Sequence, residues 1–269
     1  MKRINKIIAI IIALTFLAAC VSSPFRASIE APPKPSTKEI QTLESSVKWQ
    51  VKSKEYQLIT RKIYKDASQV IMNKATPKVP WVVIMDVDET VLDNSQYQVD
   101  LNMNGLNYSK TSWDNWVKDR KANLVPGAKQ FIETVISKGG KLVLITNRDK
   151  ALDSFTWENL QTLDLPVNEN NTCLIGRTKA DIDAVNDVNY INDKDLRREQ
   201  VTNGSASCYS SADKASLTWK NKQAVLMQVG DNIEDINNIT QENADIDSIL
   251  PRWGLDIIIL PNPMYGSWN

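Results

Sequence analysis

Five short apolar runs constrain this chain more than any other feature in it: Trp81-Val82-Val83-Ile84-Met85, Leu142 to Ile145, Thr172 to Ile175, Ala224 to Val229 and Asp256 to Leu260. Each is too short for a helix, and none shows the polar alternation of a strand with one wet face, so each reads as a strand buried on both sides in a parallel sheet. Between the first two runs the sequence predicts a helix from Gly127 to Lys138, opened by Pro126 and stopped by Gly139-Gly140. Between the next two it predicts another from Asp149 to Leu163, with Asp149 as cap. Strands alternating with helices indicate an α/β fold with a doubly wound parallel sheet. Ligands of such sheets bind at the carboxyl ends of the strands, which is where chemistry should be sought.

The rest of the chain divides by composition. From Lys38 to about Lys74 there is no Pro or Gly, and Val47, Val51, Leu58, Ile63, Val70 and Ile71 recur near helical spacing, so one or two amphipathic helices are expected. With residues 95–124 they would form a small helical accessory region on a single catalytic domain spanning 38–269. Residues 20–37 hold Pro24, Pro32, Pro33 and Pro35 among Ser, Ala and Lys and read as a tether. Ahead of it, Lys2, Arg3 and Lys6 precede the apolar run Ile7 to Ala19, the pattern of a secretion signal. Thirteen helical residues at ~1.5 Å each reach about 20 Å, short of a ~30 Å hydrocarbon core. The ending Leu17-Ala18-Ala19-Cys20 resembles the lipobox of bacterial lipoproteins, which implies a signal peptide of residues 1–19, a lipidated Cys20 and a membrane partner reached through that anchor. Val21 in place of Asp favours the outer membrane of a Gram-negative envelope over the inner one.

Composition then removes whole classes of chemistry. The chain has no histidine, so there is no Ser-His-Asp triad, no Cys-His dyad, no phosphohistidine and no His-built zinc site. Three cysteines cannot make a four-thiolate site. Without residues 1–19, 29 basic residues face 32 acidic ones, a net charge of about −3 that gives no electrostatic case for a nucleic acid polymer. The two remaining cysteines, Cys173 and Cys208, are free in an exported chain to form a disulfide, or Cys173 to stay a buried thiol beside Leu174 and Ile175.

Acid and base must therefore be carboxylates, and these follow the apolar runs. The first run leads into Asp86-Val87-Asp88-Glu89-Thr90, the second into Thr146-Asn147-Arg148, and the fourth into Gly230-Asp231-Asn232-Ile233-Glu234-Asp235. In an extended chain residues i and i+2 point the same way, so Asp86 and Asp88 can face one substrate. Two such carboxylates repel each other and any phosphate. A divalent cation removes that objection, and an all-oxygen site suits Mg²⁺ better than zinc. Asp231, from another strand, can complete the shell.

These segments resemble the haloacid dehalogenase superfamily of aspartate-nucleophile phosphatases, and more narrowly the class C acid phosphatases, in Ile84 through Tyr97, in Val229 through Asp235, and in Trp113-Asp114-Asn115-Trp116 through Val125-Pro126-Gly127-Ala128. Ile233 and Ile236 depart from the family's usual residues but keep their apolar character. The resemblance implies that Asp86 attacks phosphorus and that Asp88 protonates the leaving alcohol and later deprotonates water. It implies Mg²⁺ held by Asp86, the Asp88 carbonyl, Asp231 and waters, with Asp235 orienting the shell, and phosphoryl oxygens held by Thr146 and the Asn147 backbone. The family's lysine falls on Lys194, followed by paired arginines Arg197-Arg198, with Lys214 the alternative. Arg148 and Glu89 read as structural partners. The tail Leu260 through Trp268 resembles a family ending whose Tyr can stack a nucleobase, here Tyr265; Tyr97 is the second candidate, and Asn94 would lie near the leaving group.

The expected activity is thus Mg²⁺-dependent hydrolysis of small phosphomonoesters, including nucleoside monophosphates, through an aspartyl-phosphate. Phosphoryl transfer to an alcohol would use the same intermediate, and a binding lipoprotein without turnover is the alternative outside enzymes. A dehalogenase is disfavoured because Asp88 would have no leaving oxygen to protonate.

Overall fold

The computed structural model describes residues 42–74, 77–184, 190–211 and 217–268. The signal segment, the tether, Cys20 and Lys214 lie outside the described residues. The strands are β1 (Trp81–Met85), β2 (Leu92–Asp93), β3 (Asn123–Leu124), β4 (Lys141–Asp149), β5 (Thr172–Arg177), β6 (Ala206–Cys208), β7 (Leu217–Trp219), β8 (Ala224–Gly230) and β9 (Ile257–Ile259). The helices are α1 (Ser45–Lys52), α2 (Lys54–Asn73), α3 (Ser95–Asn104), α4 (Lys110–Asp119), α5 (Ala128–Ser137), α6 (Asp153–Thr162), α7 (Lys179–Ala184), α8 (Asp195–Asn203) and α9 (Ile246–Ile249). None of these helices is long and apolar enough to cross a membrane.

The central sheet has the order β5-β4-β1-β8-β9, and every pairing in it is parallel. The apolar runs therefore do form one sheet covered on both faces. Alternate residues of β1 sort accordingly: Trp81, Val83 and Met85 join the cluster with Tyr64, Phe131, Leu144 and Trp157, while Val82 and Ile84 join Val143, Ile145, Cys173, Ile175 and Val201 on the other face. Fully burying each such side chain is worth about 1.5–3 kcal/mol, which makes a one-residue slip of β1 prohibitive.

Element ends differ from the sequence reading where polar residues continue a strand. The second run extends through Thr146-Asn147-Arg148 to Asp149, which pairs with Arg177 after an irregularity following Ile145. Pairing with a neighbour, not side-chain polarity, decides where that strand stops. Asp149 does cap, but it caps a 3-10 turn over Lys150–Leu152 by accepting from the Ala151 N–H at 2.9 Å, and α6 begins only at Asp153. The face of α2 that is buried is Tyr56, Thr60, Tyr64, Ala67 and Ile71. Leu58, expected inside, is 70% exposed, because two tyrosines with long apolar bodies carry the buried stripe in its place. Where α2 crosses the start of α5, Gly127 has φ +100°, and a Cβ there would meet the Tyr64 Cβ at 3.1 Å.

Cys173 and Cys208 are disulfide-bonded, tying β5 to the β6–β7 hairpin that follows α8. Both are buried in the second core cluster. With the two cysteines 35 positions apart, the chain-entropy treatment assigns the bridge about 4 kcal/mol.

Candidate active site

At the end of β1 the Asp86 N–H still donates to Val229 O on β8, at 2.9 Å, so the sheet sets the backbone position of Asp86. Its side chain is 8% exposed. The chain then turns back on itself. The N–H groups of Val91 and Leu92 both reach Val87 O, and Glu89 takes a left-handed conformation at φ 56°. A non-glycine residue there is strained by about 1 kcal/mol or more, and the turn holds it through the buried Glu89 carboxylate, which accepts the Asn94 N–H at 2.7 Å. Burial pushes the Glu89 carboxyl well above the usual range, with Asp88 adding to the effect. The consequence is that Asp88 returns to the same rim as Asp86.

The end of β8 brings the other acids. Asp231 follows the strand, and Asp235 closes a short 3-10 turn over Ile233–Asp235. Gly230 makes their approach possible, since a Cβ on it would lie 2.1 Å from Asp235 Oδ2. Asp86, Asp231 and Asp235 each present an oxygen within 4.8 Å of the others. Lys194, at the N-terminal cap of α8, donates to Asp86 Oδ1 and to Asp235 Oδ1, the latter at 2.6 Å. Asp231 accepts from Thr90 Oγ1 at 3.1 Å and from Asn262 Nδ2 at 2.8 Å.

The electrostatics follow from crowding. Burial pushes Asp86 well above the usual carboxylate range; the Lys194 ammonium opposes this, and Asp235 and Asp231 reinforce it. Asp231 is raised to about 7 by burial and then by Asp235, against its hydrogen bonds from Asn262 and Thr90. Burial works against the Lys194 ammonium, but Asp235 and Asp86 outweigh it and the lysine is raised. Three carboxylates around one ammonium leave an excess of negative charge when ionised. A cluster of this kind, made only of oxygen donors, can hold a hard divalent cation.

Asp88 is held differently. Arg148, buried on the end of β4, meets its Oδ1 through NH2 at 2.6 Å and through Nε at 3.0 Å. Asn94 Nδ2 adds a third donor to Oδ1 at 2.8 Å, and Thr146 Oγ1 donates to Oδ2 at 3.2 Å. The Thr146 hydroxyl also accepts the Arg148 N–H at 3.1 Å. Arg197 fixes the same loop from α8, reaching Thr146 O at 2.6 Å and Asn147 Oδ1 at 3.0 Å. Arg198 ties Asn192 and Asp195 to Glu234 O.

A cleft of about 600 Å³ opens over these groups, with Asp86, Asp88, Asn147, Lys194, Asp231 and Asp235 in its floor and Tyr97, Tyr108, Trp113 and Tyr265 in its walls. The structure thus gathers Asp86, Asp88, Asn147, Lys194, Asp231, Asp235, Tyr97 and Tyr265 at one place. Thr146 lies just beneath, wholly buried. Asn94 stands behind Asp88: it is 0% exposed, its Nδ2 donates to Asp88 Oδ1, and its Oδ1 accepts from Trp116 Nε1 at 2.8 Å, so both ends of its amide are engaged by the protein. Tyr97 is buried too, with its hydroxyl on Ser112 at 2.8 Å and Trp113 edge-on at 5.2 Å. The Tyr265 hydroxyl is buried with no partner among the described residues. Sequence reasoning missed Asn262, Trp116 and Tyr108. Trp116 and Asn262 lie in segments that resemble the family, but nothing in those segments assigns either residue its partner, and Tyr108 has no local signal at all. Arg148 it found, as a structural partner.

A family model described as HAD superfamily, subfamily IIIB (acid phosphatase), matches residues 14–268. Among solved structures, the class C acid phosphatase from Bacillus anthracis is similar with a TM-score of 0.64 at 23% identity, over 83% of this chain and 84% of that one. The tungstate-bound form of the same enzyme gives 0.61 and 24% with the same coverage. At this level of identity the two likenesses speak for the shared fold.

Proposed function

The chain belongs to subfamily IIIB of the HAD superfamily, the acid phosphatases, and is a phosphomonoester hydrolase; from that membership we propose that it uses Mg²⁺, works through an aspartyl-phosphate on Asp86, and accepts nucleoside monophosphates among its substrates. The observation that carries the proposal is the cluster of Asp86, Asp231 and Asp235 around the Lys194 ammonium at the floor of the cleft. The donor set fits the ion: the oxygens are hard, they come from three points on two strand ends, and their excess negative charge calls for a dication. Asp86 and Asp231 would hold Mg²⁺ directly with the Asp88 carbonyl, and Asp235 would support the shell. When bound, the ion supplies charge neutralisation between the phosphate and the attacking carboxylate.

The chain's own residues do the rest. Asp86 is anchored by the β8 backbone, so its oxygen is held in one place for attack on phosphorus. Lys194 neutralises that carboxylate and Asp235. The Asn147 backbone, with the side chain braced by Arg197, would hydrogen-bond the phosphoryl oxygens as they gather charge. Asp88 exchanges the proton with the leaving oxygen and then with water. The aromatic walls, Tyr265 and Tyr108 above all, offer faces for a planar base. We further propose that Cys20 is lipidated and holds the enzyme in the outer membrane.

One panel tests the reading. Purified enzyme should hydrolyse mononucleotides and simpler phosphate esters with Mg²⁺, lose turnover with chelator, recover it on Mg²⁺ addition, and lose it in Asp86→Asn. Turnover in Asp86→Asn equal to that of the parent would end the aspartyl-phosphate reading. Full activity in chelator would end the metal reading.

A further inference from the structure

The two oxygens of Asp88 are not equivalent. Oδ1 accepts Arg148 NH2 at 2.6 Å and Asn94 Nδ2 at 2.8 Å, and takes the nearer share of the single Arg148 Nε hydrogen at 3.0 Å. A carboxylate oxygen has about two good lone-pair directions, so Oδ1 is saturated. Among the described residues Oδ2 has only the farther share of that Nε hydrogen and Thr146 Oγ1, both at 3.2 Å. The donors themselves are fixed. Arg148 is buried, donates NH1 to Thr156 Oγ1 at 3.1 Å, touches Asn94 Oδ1 at 3.3 Å, and has the Trp113 ring 5.6 Å from its guanidinium carbon. Asn94 is held in its amide orientation by Trp116 Nε1.

We propose that Arg148, with Asn94, is a positioning residue for the acid–base step: it dedicates Oδ1 of Asp88 to anchoring and leaves Oδ2 as the oxygen that carries the proton. This rests on the aspartyl-phosphate reading above. In the first half-reaction an Asp86 oxygen bonds to phosphorus as the bond from phosphorus to the leaving oxygen breaks. The electron pair goes to that oxygen, which takes the proton from Asp88 Oδ2. In the second, water attacks phosphorus, its proton passes to Oδ2, and the bond to Asp86 breaks with its electron pair returning to the carboxylate. A planar fork suits this task and an ammonium does not, because two parallel N–H groups fix the plane of the carboxylate as well as its position.

Proton donation matters most when the leaving oxygen is a poor anion, which gives the test. kcat/KM is measured for glycerol 2-phosphate, which expels an alkoxide, and for p-nitrophenyl phosphate, which expels a stable phenolate. Arg148→Lys should lower the first by about 10²-fold and the second by about tenfold or less, since general acid catalysis contributes ~10²–10⁴. In an Asp88→Asn background the same change should leave the ratio between the two substrates unaltered. Thr156→Val, which removes the outer tether of the guanidinium together with the hydroxyl's bond to Leu152 O, should shift the ratio in the same direction by a smaller factor and serves if Arg148→Lys fails to fold. Equal losses on both substrates, or an unchanged ratio in Thr156→Val and Arg148→Lys alike, would overturn the inference. Such a result with Asp86→Asn inactive would refute the role of Arg148 alone, whereas an active Asp86→Asn would remove the reading beneath it.

Discussion

Lys194→Met is the perturbation whose size the structure lets one work out. The methionine fills the lysine stem but removes the charge between Asp86 and Asp235. Leaving a buried ionic partner uncompensated costs about 3–5 kcal/mol. A domain of this size loses about 2–4 °C in Tm per kcal/mol, so the metal-free variant should melt roughly 6–20 °C lower at pH 7. The loss should shrink as pH falls, because the carboxyls already raised by burial can then take up protons and stop repelling. Turnover should fall by ~10²–10³, the usual cost of losing one preorganised charge-stabilising donor. Thermal melts in chelator at pH 5 and 7, with kcat in Mg²⁺, read all of this. A Tm within 1 °C of the parent at pH 7, or a loss that grows toward pH 5, would refute the placement of Lys194 as counter-ion.

Asp231, lifted to about 7 against an unfolded value near ~3.9, binds its proton more tightly in the native state, so it stabilises the metal-free protein at low pH and that contribution is lost as pH rises through about 7. Mg²⁺ needs the ionised carboxylate, so affinity measured by calorimetry should rise from pH 5.5 to 7.5, and a flat profile would contradict the assignment. Gly230→Ala pushes a Cβ into Asp235 and should weaken Mg²⁺ affinity by about 10–100-fold, with unchanged affinity counting against Asp235 as support for the ion. Cys208→Ser removes the bridge to Cys173 and should lower Tm by roughly 8–16 °C from its ~4 kcal/mol while kcat/KM stays within about threefold. A variant that melts with the parent would show the bridge to be energetically idle.

The sheet was legible because burial on both faces leaves unbroken apolar runs, and β1 matched residue for residue. The acids at the strand ends were legible because strand, turn and carboxylate follow one another locally. Other features depend on distant partners. Asn94 looks like a free polar residue beside the motif, and only the fold shows Trp116 and Arg148 taking up its amide. Leu58 looks like core, and only the packing of α2 on α5 shows that Tyr56 and Tyr64 occupy the inner face. The state of Cys173 depended on where a hairpin more than thirty residues away would fold.

The most direct test of the account is chemical trapping of the covalent state. Enzyme quenched during turnover and reduced with borohydride should carry homoserine at position 86, as an acyl phosphate on that aspartate would give, and Asp86→Asn should not. Homoserine at another aspartate, or none with turnover proceeding, would contradict the central claim.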